Sequence, residues 1–195
     1  MNLLAVNLTE FVPRVKRMSS AVNPKSQLKT ISYHATERTV TDKLKTLDEL
    51  ITAAARARSN GKIVVFTNGC FDLLHRGHLH ILREAKAAGD LLIVAVNSDQ
   101  SIKAIKGPAR PVCSELDRLE LIAALEMVDY VILFDEPDPY KLIAAIKPNV
   151  LAKGGDWDAD EVVGADIVER DGGRVLLVPY LNGYSTSEII ERIRN

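Results

Sequence analysis

The most constraining feature of the sequence is an unbroken apolar run, Leu91 to Val96, near the middle of the chain. A strand on a half-exposed sheet alternates apolar and polar residues, whereas an unbroken run is typical of a strand buried on both faces. Sheets are covered on both faces in α/β proteins, where helices connect parallel strands. The run therefore predicts a central strand of a parallel sheet with helices on each side.

The rest of the chain alternates between strand-like and helix-like patterns. A helical pattern from Asp42 to Ser59, expected to pack at the sheet edge, precedes strand 62–67, helix 79–88, strand 90–97, helix 115–127, strand 130–134, helix 139–146, strand 150–152, helix 160–170, strand 174–178 and helix 186–193. This order predicts an α/β fold, a Rossmann-like doubly wound parallel sheet of about five strands with right-handed crossovers. In such folds ligands bind beyond the carboxyl ends of the strands, where the winding reverses.

A polar stretch, Asn68 to His78, follows the first predicted strand and leads into a helix. The free N–H groups and the dipole at a helix start favour a phosphate group. His75 and His78 are three residues apart, so both rings can face one small volume, and Gly77 allows close approach to the backbone. No third His or Cys stands at metal-ligand spacing. The stretch therefore predicts a phosphate site in which the two histidines donate hydrogen bonds.

Composition and charge narrow the class of protein. With 195 residues and 47% hydrophobic content, the chain can bury one good core with an appendage. A net charge of -1 gives no electrostatic reason to expect a nucleic-acid partner. No apolar run approaches the roughly 20 residues of a membrane span. Two cysteines make no disulfide framework, so we expect a cytoplasmic protein without a membrane partner.

The first part of the chain, residues 1–43, differs from the rest. Through Lys45 it carries eight Lys and Arg against three Asp and Glu, and Pro13 and Pro24 interrupt any sustained periodicity. We predict a basic, poorly ordered N-terminal extension, followed by a folded domain over residues 44–195. The apolar stretch of the extension, Leu3 to Val6, is too short for a secretory signal. An organellar transit segment and a true start at Met18 are the alternatives.

The string from Gly69 to His78 reads G-x-F-D-x-x-H-x-G-H and resembles the signature of the HxGH nucleotidyltransferase superfamily. Other segments resemble the adenylyltransferase domain of ADP-heptose synthases: Val96–Asp99, Lys106–Gly107, Arg110–Val112, Lys153–Trp157 and Ser185–Ser187. The resemblance implies transfer of AMP from ATP, with Mg²⁺, to a sugar 1-phosphate such as D-glycero-β-D-manno-heptose 1-phosphate. It also implies a homodimer. Many relatives are fused to a sugar kinase, so a separate kinase is expected to act upstream.

Nucleotidyl transfer is an in-line attack by an ionised phosphate on the α-phosphorus of a nucleoside triphosphate. Positioning and charge stabilisation, rather than a strong base, should carry the catalysis. The residues implied as catalytic are His75, His78 and Lys106. Those implied in nucleotide binding are Gly69, Cys70, Phe71, Asp72, Gly77, Lys153, Gly154, Asp156, Ser185, Thr186 and Ser187, and those for the acceptor phosphate are Lys103 and Arg118.

Several assignments have competing interpretations. Lys103 and Lys106 are expected in a flexible loop that closes over phosphates. Asp72 either orients the turn or caps the helix, and Arg118 could instead form a salt bridge within its own helix. Ser185 is three residues before Glu188, the spacing of a capping box, so helix capping is expected beside phosphate binding. Cys70 as a nucleophile is disfavoured, because direct displacement needs no covalent intermediate.

Two other functions are rivals to the adenylyltransferase. One is a cytidylyltransferase for glycerol 3-phosphate or another phospho-alcohol. Relatives with cytidylyl specificity often carry an Arg-Thr-Glu-Gly-Ile motif where this chain has Leu181 to Tyr184 without the arginine, which weakens that reading. The other rival is a non-catalytic nucleotide-binding subunit. The basic extension is the one sequence feature that favours it.

Overall fold

The computed structural model describes residues 40–155, 158 and 161–194. The strands are β1 (Val64–Gly69), β2 (Leu91–Asn97), β3 (Tyr130–Phe134), β4 (Val150–Gly154) and β5 (Arg174–Val178). The helices are α1 (Val40–Lys43), α2 (Leu47–Ser59), α3 (Arg76–Ala87), α4 (Asp99–Lys106), α5 (Glu115–Ala123), α6 (Tyr140–Ile146), α7 (Ala165–Arg170) and α8 (Thr186–Arg194). Most of the predicted extension, and with it any test of its disorder, lies outside the described residues.

The five strands form one parallel sheet in the order β3-β2-β1-β4-β5. The apolar run of β2 lies between β1 and β3, as the unbroken pattern predicted. From β1 the chain first winds outward to β2 and β3, then returns to place β4 on the other side of β1. The winding therefore reverses between β1 and β4, and their carboxyl ends are the expected place for a ligand.

Helices cover both faces of the sheet. Successive residues of a buried strand point to opposite faces, so one strand contributes side chains to both cores. Val64 and Phe66 of β1 join one core cluster with residues of α2, α6 and α7. Val65, between them, joins a second cluster with residues of α3 and α5. The predicted doubly wound α/β fold is confirmed.

The region predicted as one entry helix is divided into two. Thr46 caps α2 through a reciprocal capping box with Glu49, so α2 starts there rather than at Asp42. The prediction that this helix packs at the sheet edge is wrong, since α2 lies over a face, against α6 and β1. The edge strand β3 is instead met by Leu44, which bridges Val131.

The predicted loop around Lys103 and Lys106 is also wrong. Ser98 caps a helix there, accepting a hydrogen bond from Ser101 N–H at 3.1 Å, and α4 continues to Gly107, where φ is 90°. Burial of Ile102 holds this short helix on the domain. Helix α5 ends at Ala123, four residues before the predicted end, and α7 begins at Ala165 rather than at 160. Within the described ranges, no helix is both long and apolar enough to cross a membrane.

Candidate active site

The site begins where β1 ends, in a turn with unusual backbone geometry. Phe71 and Leu73 have φ values of 48° and 47°, a left-handed conformation that costs energy for residues with large side chains. The turn brings the buried Phe71 ring to 5.4 Å from the His78 ring. Strain of this kind persists only where surrounding contacts enforce it. Surrounding contacts therefore hold the turn from Gly69 to Leu74 in this conformation, and the turn sets the direction in which α3 starts.

His75 is the N-cap residue of α3, and its Nδ1 accepts a hydrogen bond from Gly77 N–H at 3.1 Å. A ring nitrogen that accepts carries no proton, so the neutral imidazole has its proton on Nε2. A Cβ on Gly77 would lie 2.9 Å from the His75 ring and 3.1 Å from Tyr184 O. Glycine is therefore required for this close arrangement, which leaves the His75 Nε2–H as a donor.

The two histidine rings are stacked, with centroids 3.8 Å apart and an interplanar angle of 23°. Burial lowers the pKa of His78 to about 4; the neighbouring His75 and the charge of Lys106 also disfavour its protonation, against an opposing effect of Asp72. Burial likewise lowers the pKa of His75, against an opposing effect of Glu188. Both rings are therefore neutral at pH 7. His78 Nδ1 is buried without a hydrogen-bond partner among the described residues.

The neutrality of His78 has a measurable consequence. Its pKa is about 4 in the folded chain against 6.5 normally, so unfolding takes up a proton between these pH values. The free energy of unfolding should fall by about 2 kcal/mol from this residue between pH 7 and pH 5. Urea unfolding of the wild type and of His78→Phe at both pH values measures the difference. An equal decrease in the two proteins would contradict the buried, neutral state of His78.

Asp72 lies under the turn with its side chain fully buried. Its carboxylate accepts hydrogen bonds from Arg110 Nε at 2.8 Å, from Val112 N–H at 2.9 Å and from Cys113 N–H at 2.9 Å. Burial opposes ionisation, yet the donors from Cys113, Val112 and Arg110 hold the pKa of Asp72 below its usual value. Of the two roles open to it, orienting the turn is the one that the contacts favour.

Arg118 does not lie where an acceptor phosphate could reach it. Its side chain is fully buried, and its donors bind Cys70 O at 2.6 Å, Cys113 O at 3.1 Å and Asp99 Oδ1 at 2.8 Å. The alternative of a salt bridge within α5 fails as well, because Asp99 belongs to α4. A guanidinium with these partners supports the protein around the site rather than a substrate.

The two lysines of α4 differ in their placement. Lys106 ends the helix, and its charge contributes to the lowered pKa of His78, so it lies near the histidine pair. Lys103 lies one turn earlier, and both side chains are exposed. The structure thus brings Lys106 towards the histidines, at a helix end rather than in a loop.

The end of β4, beside β1 in the sheet, contributes the next group. Burial lowers the pKa of Lys153, against an opposing effect of Cys70, so the side chain is close to the turn from Gly69 to Leu74. A Cβ on Gly154 would overlap Ile81 of α3, which means that glycine allows α3 to pack closely on β4. Asp156, which was predicted to bind the nucleotide, and the neighbouring Trp157 lie outside the described residues.

The start of α8 is tied to the same turn. Thr186 Oγ1 donates a hydrogen bond to Asp72 O at 2.7 Å, and Glu188 N–H donates to Ser185 Oγ at 3.1 Å. Helix capping by Ser185 is therefore present. The Thr186 hydroxyl proton is engaged by the protein, so what α8 offers an anion is its backbone N–H groups and the exposed Ser187.

Two supporting residues, Arg110 and Asp99, lie in segments that carry the resemblance, but the sequence reasoning gave them no role at the site. Arg110 Nε donates to Asp72, 38 residues away in the chain, and Asp99 pairs with Arg118, 19 residues away. Separations of this size leave no periodic signal. The available signal was chemical: a charged residue within a stretch otherwise expected to be buried or turn-forming needs a partner of opposite charge.

The groups assembled at the reversal point are hydrogen-bond donors and cations around two helix starts. They suit a triphosphate, whose charge they can neutralise, and the fold and this turn together define a nucleotide-binding α/β domain. The comparisons agree. The family model described as cytidylyltransferase-like matches residues 66–192, so the chain belongs to the cytidylyltransferase-like family and is a nucleotidyltransferase.

The curated relatives include two proteins named Bifunctional protein HldE. The one from Citrifermentans bemidjiense is 46% identical over 90% of this chain and 36% of the relative, and the one from Geobacter sulfurreducens is 50% identical over 77% and 31%. The chain thus spans about a third of the length of these relatives.

Two solved structures are similar. A lipopolysaccharide core biosynthesis protein from Thermoplasma volcanium is 36% identical over 64% of this chain and 100% of that protein, with a TM-score of 0.52. A pantoate-beta-alanine ligase from Francisella tularensis, at 16% identity over 77% of this chain and 76% of that one, has a TM-score of 0.52 and supports the fold alone.

Proposed function

We propose that the chain transfers the adenylyl group of ATP to D-glycero-β-D-manno-heptose 1-phosphate, giving ADP-heptose and pyrophosphate. The observation that carries the proposal is the stacked pair of His75 and His78 at the start of α3, where two neutral rings offer donors beside a helix dipole. The motif resemblance to ADP-heptose synthases supports the sugar. So does the 36% identity to a protein named for lipopolysaccharide core biosynthesis.

The reaction needs little from the protein beyond placement and charge. The acceptor phosphate is already ionised at neutral pH, so it attacks the α-phosphorus without a general base, and pyrophosphate leaves in line. His75 and His78 would donate hydrogen bonds to phosphoryl oxygens as negative charge develops. Lys106 would neutralise charge on the triphosphate or the leaving pyrophosphate. The N–H groups at the start of α8 would bind the remaining phosphate oxygens.

Nucleotidyl transfer implies Mg²⁺, and the described residues fit a metal that arrives with its nucleotide. No group of three or more His, Cys, Asp or Glu among them could hold a metal ion, and the Asp72 oxygens are occupied by Arg110 and two N–H groups. Mg²⁺ commonly binds through substrate phosphates with few protein carboxylates. In this proposal it enters as Mg-ATP and screens the triphosphate charge.

The second candidate is a cytidylyltransferase, which the description of the matching family favours. Against it, the stretch before α8 lacks the arginine of the cytidylyl motif described above. The groups described at the site would contact phosphates rather than a base, so they support the same chemistry for either nucleotide.

Pyrophosphate release separates the candidates. Purified protein with Mg²⁺ is tested with ATP and with CTP, each against heptose 1-phosphate and glycerol 3-phosphate. We expect turnover with ATP plus heptose 1-phosphate to exceed that of the other three pairs by at least about 10²-fold, the discrimination that a binding pocket commonly supplies. Turnover with CTP would keep the mechanism and replace the substrates. Silence in all four pairs would contradict the proposed function.

The proposal extends to two partners. A separate kinase would supply the sugar 1-phosphate. A homodimer is supported by exposed apolar side chains on and beside α5, namely Val112, Leu116 and Leu121, which are 55%, 42% and 46% exposed. Sedimentation equilibrium that gives only the mass of one chain at micromolar concentration would remove the dimer from the proposal.

A further inference from the structure

The Arg118 side chain binds two backbone carbonyl groups and the Asp99 carboxylate, none of which is implied as a catalytic group among the described residues, yet it lies at the junction of three segments of the site. We propose that Arg118 is a positioning residue, which holds the histidine turn and the Lys106 helix in a fixed relation so that Lys106 meets the phosphates. The kinetic part of this inference rests on the proposed function, and the structural part stands without it.

The hydrogen bonds of the guanidinium join segments that are distant in sequence. Nη1 donates to Cys70 O at 2.6 Å, Nε to Cys113 O at 3.1 Å, and Nη2 to Asp99 Oδ1 at 2.8 Å. The side chain is 0% exposed. A guanidinium is planar and its donors point in fixed directions, so three acceptors bound to one Arg are held at fixed positions relative to each other.

Two of the three acceptors begin segments that carry a group of the candidate site. Cys70 starts the turn that ends at His75. Asp99 is the first residue of α4, which ends at Lys106. At a rise of 1.5 Å per residue the helix carries the Lys106 backbone roughly 10 Å from the Asp99 backbone. Arg118 therefore acts at one end of a rigid rod, and Lys106 stands at the other.

The third acceptor closes the connection. Cys113 O accepts from Arg118, while Cys113 N–H donates to the Asp72 carboxylate. The start of α4 is held a second time, because Asp99 N–H donates to Glu115 Oε2 at 2.8 Å. The turn, the loop before α5 and the start of α4 thus share one hydrogen-bond network centred on the buried Arg118. The charge of Lys106 contributes to the lowered pKa of His78, which agrees with a connection between the far end of α4 and the histidines.

Lysine cannot replace arginine in this network. A single ammonium on a flexible stem can keep the ion pair with Asp99, but it cannot also reach the carbonyl oxygens of Cys70 and Cys113 in the same geometry. Arg118→Lys should therefore retain the charge and loosen the relation between α4 and the turn. Misplacement of a catalytic group by about 1 Å can cost about 10²-fold in rate.

The chain supplies a matched control. Arg58 Nη1 donates to Ile146 O at 2.8 Å and to Lys147 O at 2.7 Å, at the end of α6 on the face of the sheet opposite to α3. We expect Arg118→Lys to lower kcat for pyrophosphate release about 10²-fold with the KM for ATP within about threefold. Arg58→Lys should leave both within about twofold. Equal effects of the two substitutions on kcat would overturn the proposal.

A double-mutant cycle with Lys106→Ala separates positioning from general destabilisation. If Arg118 acts through the placement of Lys106, Arg118→Lys should cost less than about threefold in kcat once Lys106 is absent. Effects that multiply in the double variant would overturn the proposal. Asp99→Asn, which keeps the shape and removes the ion pair, serves as the second variant if Arg118→Lys does not fold, and the same split of kcat and KM is expected.

Hydrogen exchange gives a readout that is independent of substrate. Amides of residues 70–74 and 99–106 should exchange faster in Arg118→Lys, while amides of β5 keep the wild-type rate. Unchanged exchange in both segments would overturn the structural part of the proposal. If the wild type releases no pyrophosphate with any substrate pair, the proposed function fails by itself, and the exchange data alone decide whether Arg118 holds the turn and α4 together.

Discussion

His78→Ala is expected to lower pyrophosphate release by about 10²–10³-fold, the effect of removing one hydrogen-bond donor aimed at a developing negative charge. The His78 ring contacts the rings of His75 and Phe71, with centroid distances of 3.8 Å and 5.4 Å. It is therefore held in place before a nucleotide arrives. A neutral ring that is already oriented stabilises the transition state without a further cost of reorganisation. The loss should appear in kcat rather than in the KM for ATP.

Two companion variants make the result interpretable. His78→Phe fills the same space without nitrogen atoms, so it separates the lost donor from a lost ring, and we expect it to be as impaired as His78→Ala. His80→Ala removes a histidine on the same helix, near Glu84 rather than the turn, and should retain turnover within about twofold. Turnover of His78→Phe above about a tenth of the wild-type rate would exclude the histidine donor mechanism.

The elements that sequence reasoning predicted are those whose signal is local. The unbroken run Leu91–Val96 predicted β2, because a strand covered on both faces has no need of polar residues on either side. The turn after β1 and the helix that follows it were predicted from a strand, a glycine and a helical repeat, although α3 starts at Arg76 rather than at the predicted residue 79. In contrast, the Lys103–Lys106 segment was taken for a loop because lysines precede Gly107 and Pro108. The capping of α4 by Ser98, which argues the opposite, was overlooked.

The supporting shell of the site could not be predicted, because its contacts are distant in the chain. Arg118 binds Cys70, 48 residues away in the chain, and Asp99, 19 residues away. These pairings depend on the spatial order of the strands in the sheet. A motif match assigned Arg118 to a phosphate, while burial assigns it to the protein. Sequence patterns identify which chemical groups are present, whereas the crossovers decide which of them face a ligand.

The second large effect is expected for stability rather than for rate. Asp72→Ala should lower the free energy of unfolding by about 3–5 kcal/mol, the range for breaking a buried ion pair from one side. The substitution leaves Arg110, whose side chain is only 12% exposed, without its carboxylate. It also leaves the N–H groups of Val112 and Cys113 without their acceptor. A domain of this size has a total stability of about 5–15 kcal/mol, so the variant should be close to unfolding.

Urea unfolding at pH 7 measures this loss, with Asp48→Ala, an exposed carboxylate on α2, as the control expected within about 0.5 kcal/mol of the wild type. In the double variant Asp72→Ala with Arg110→Met, part of the loss should be recovered, because no unpaired charge stays buried.

The pKa of Asp72 is lowered in the folded chain, so the contribution of this carboxylate to the free energy of unfolding is present at neutral pH. It should be lost as the pH falls below the unfolded value of about 4. A loss below about 1 kcal/mol in Asp72→Ala at pH 7 would mean that the turn is held by its backbone alone. The strained φ values of Phe71 and Leu73 would then need another source of support.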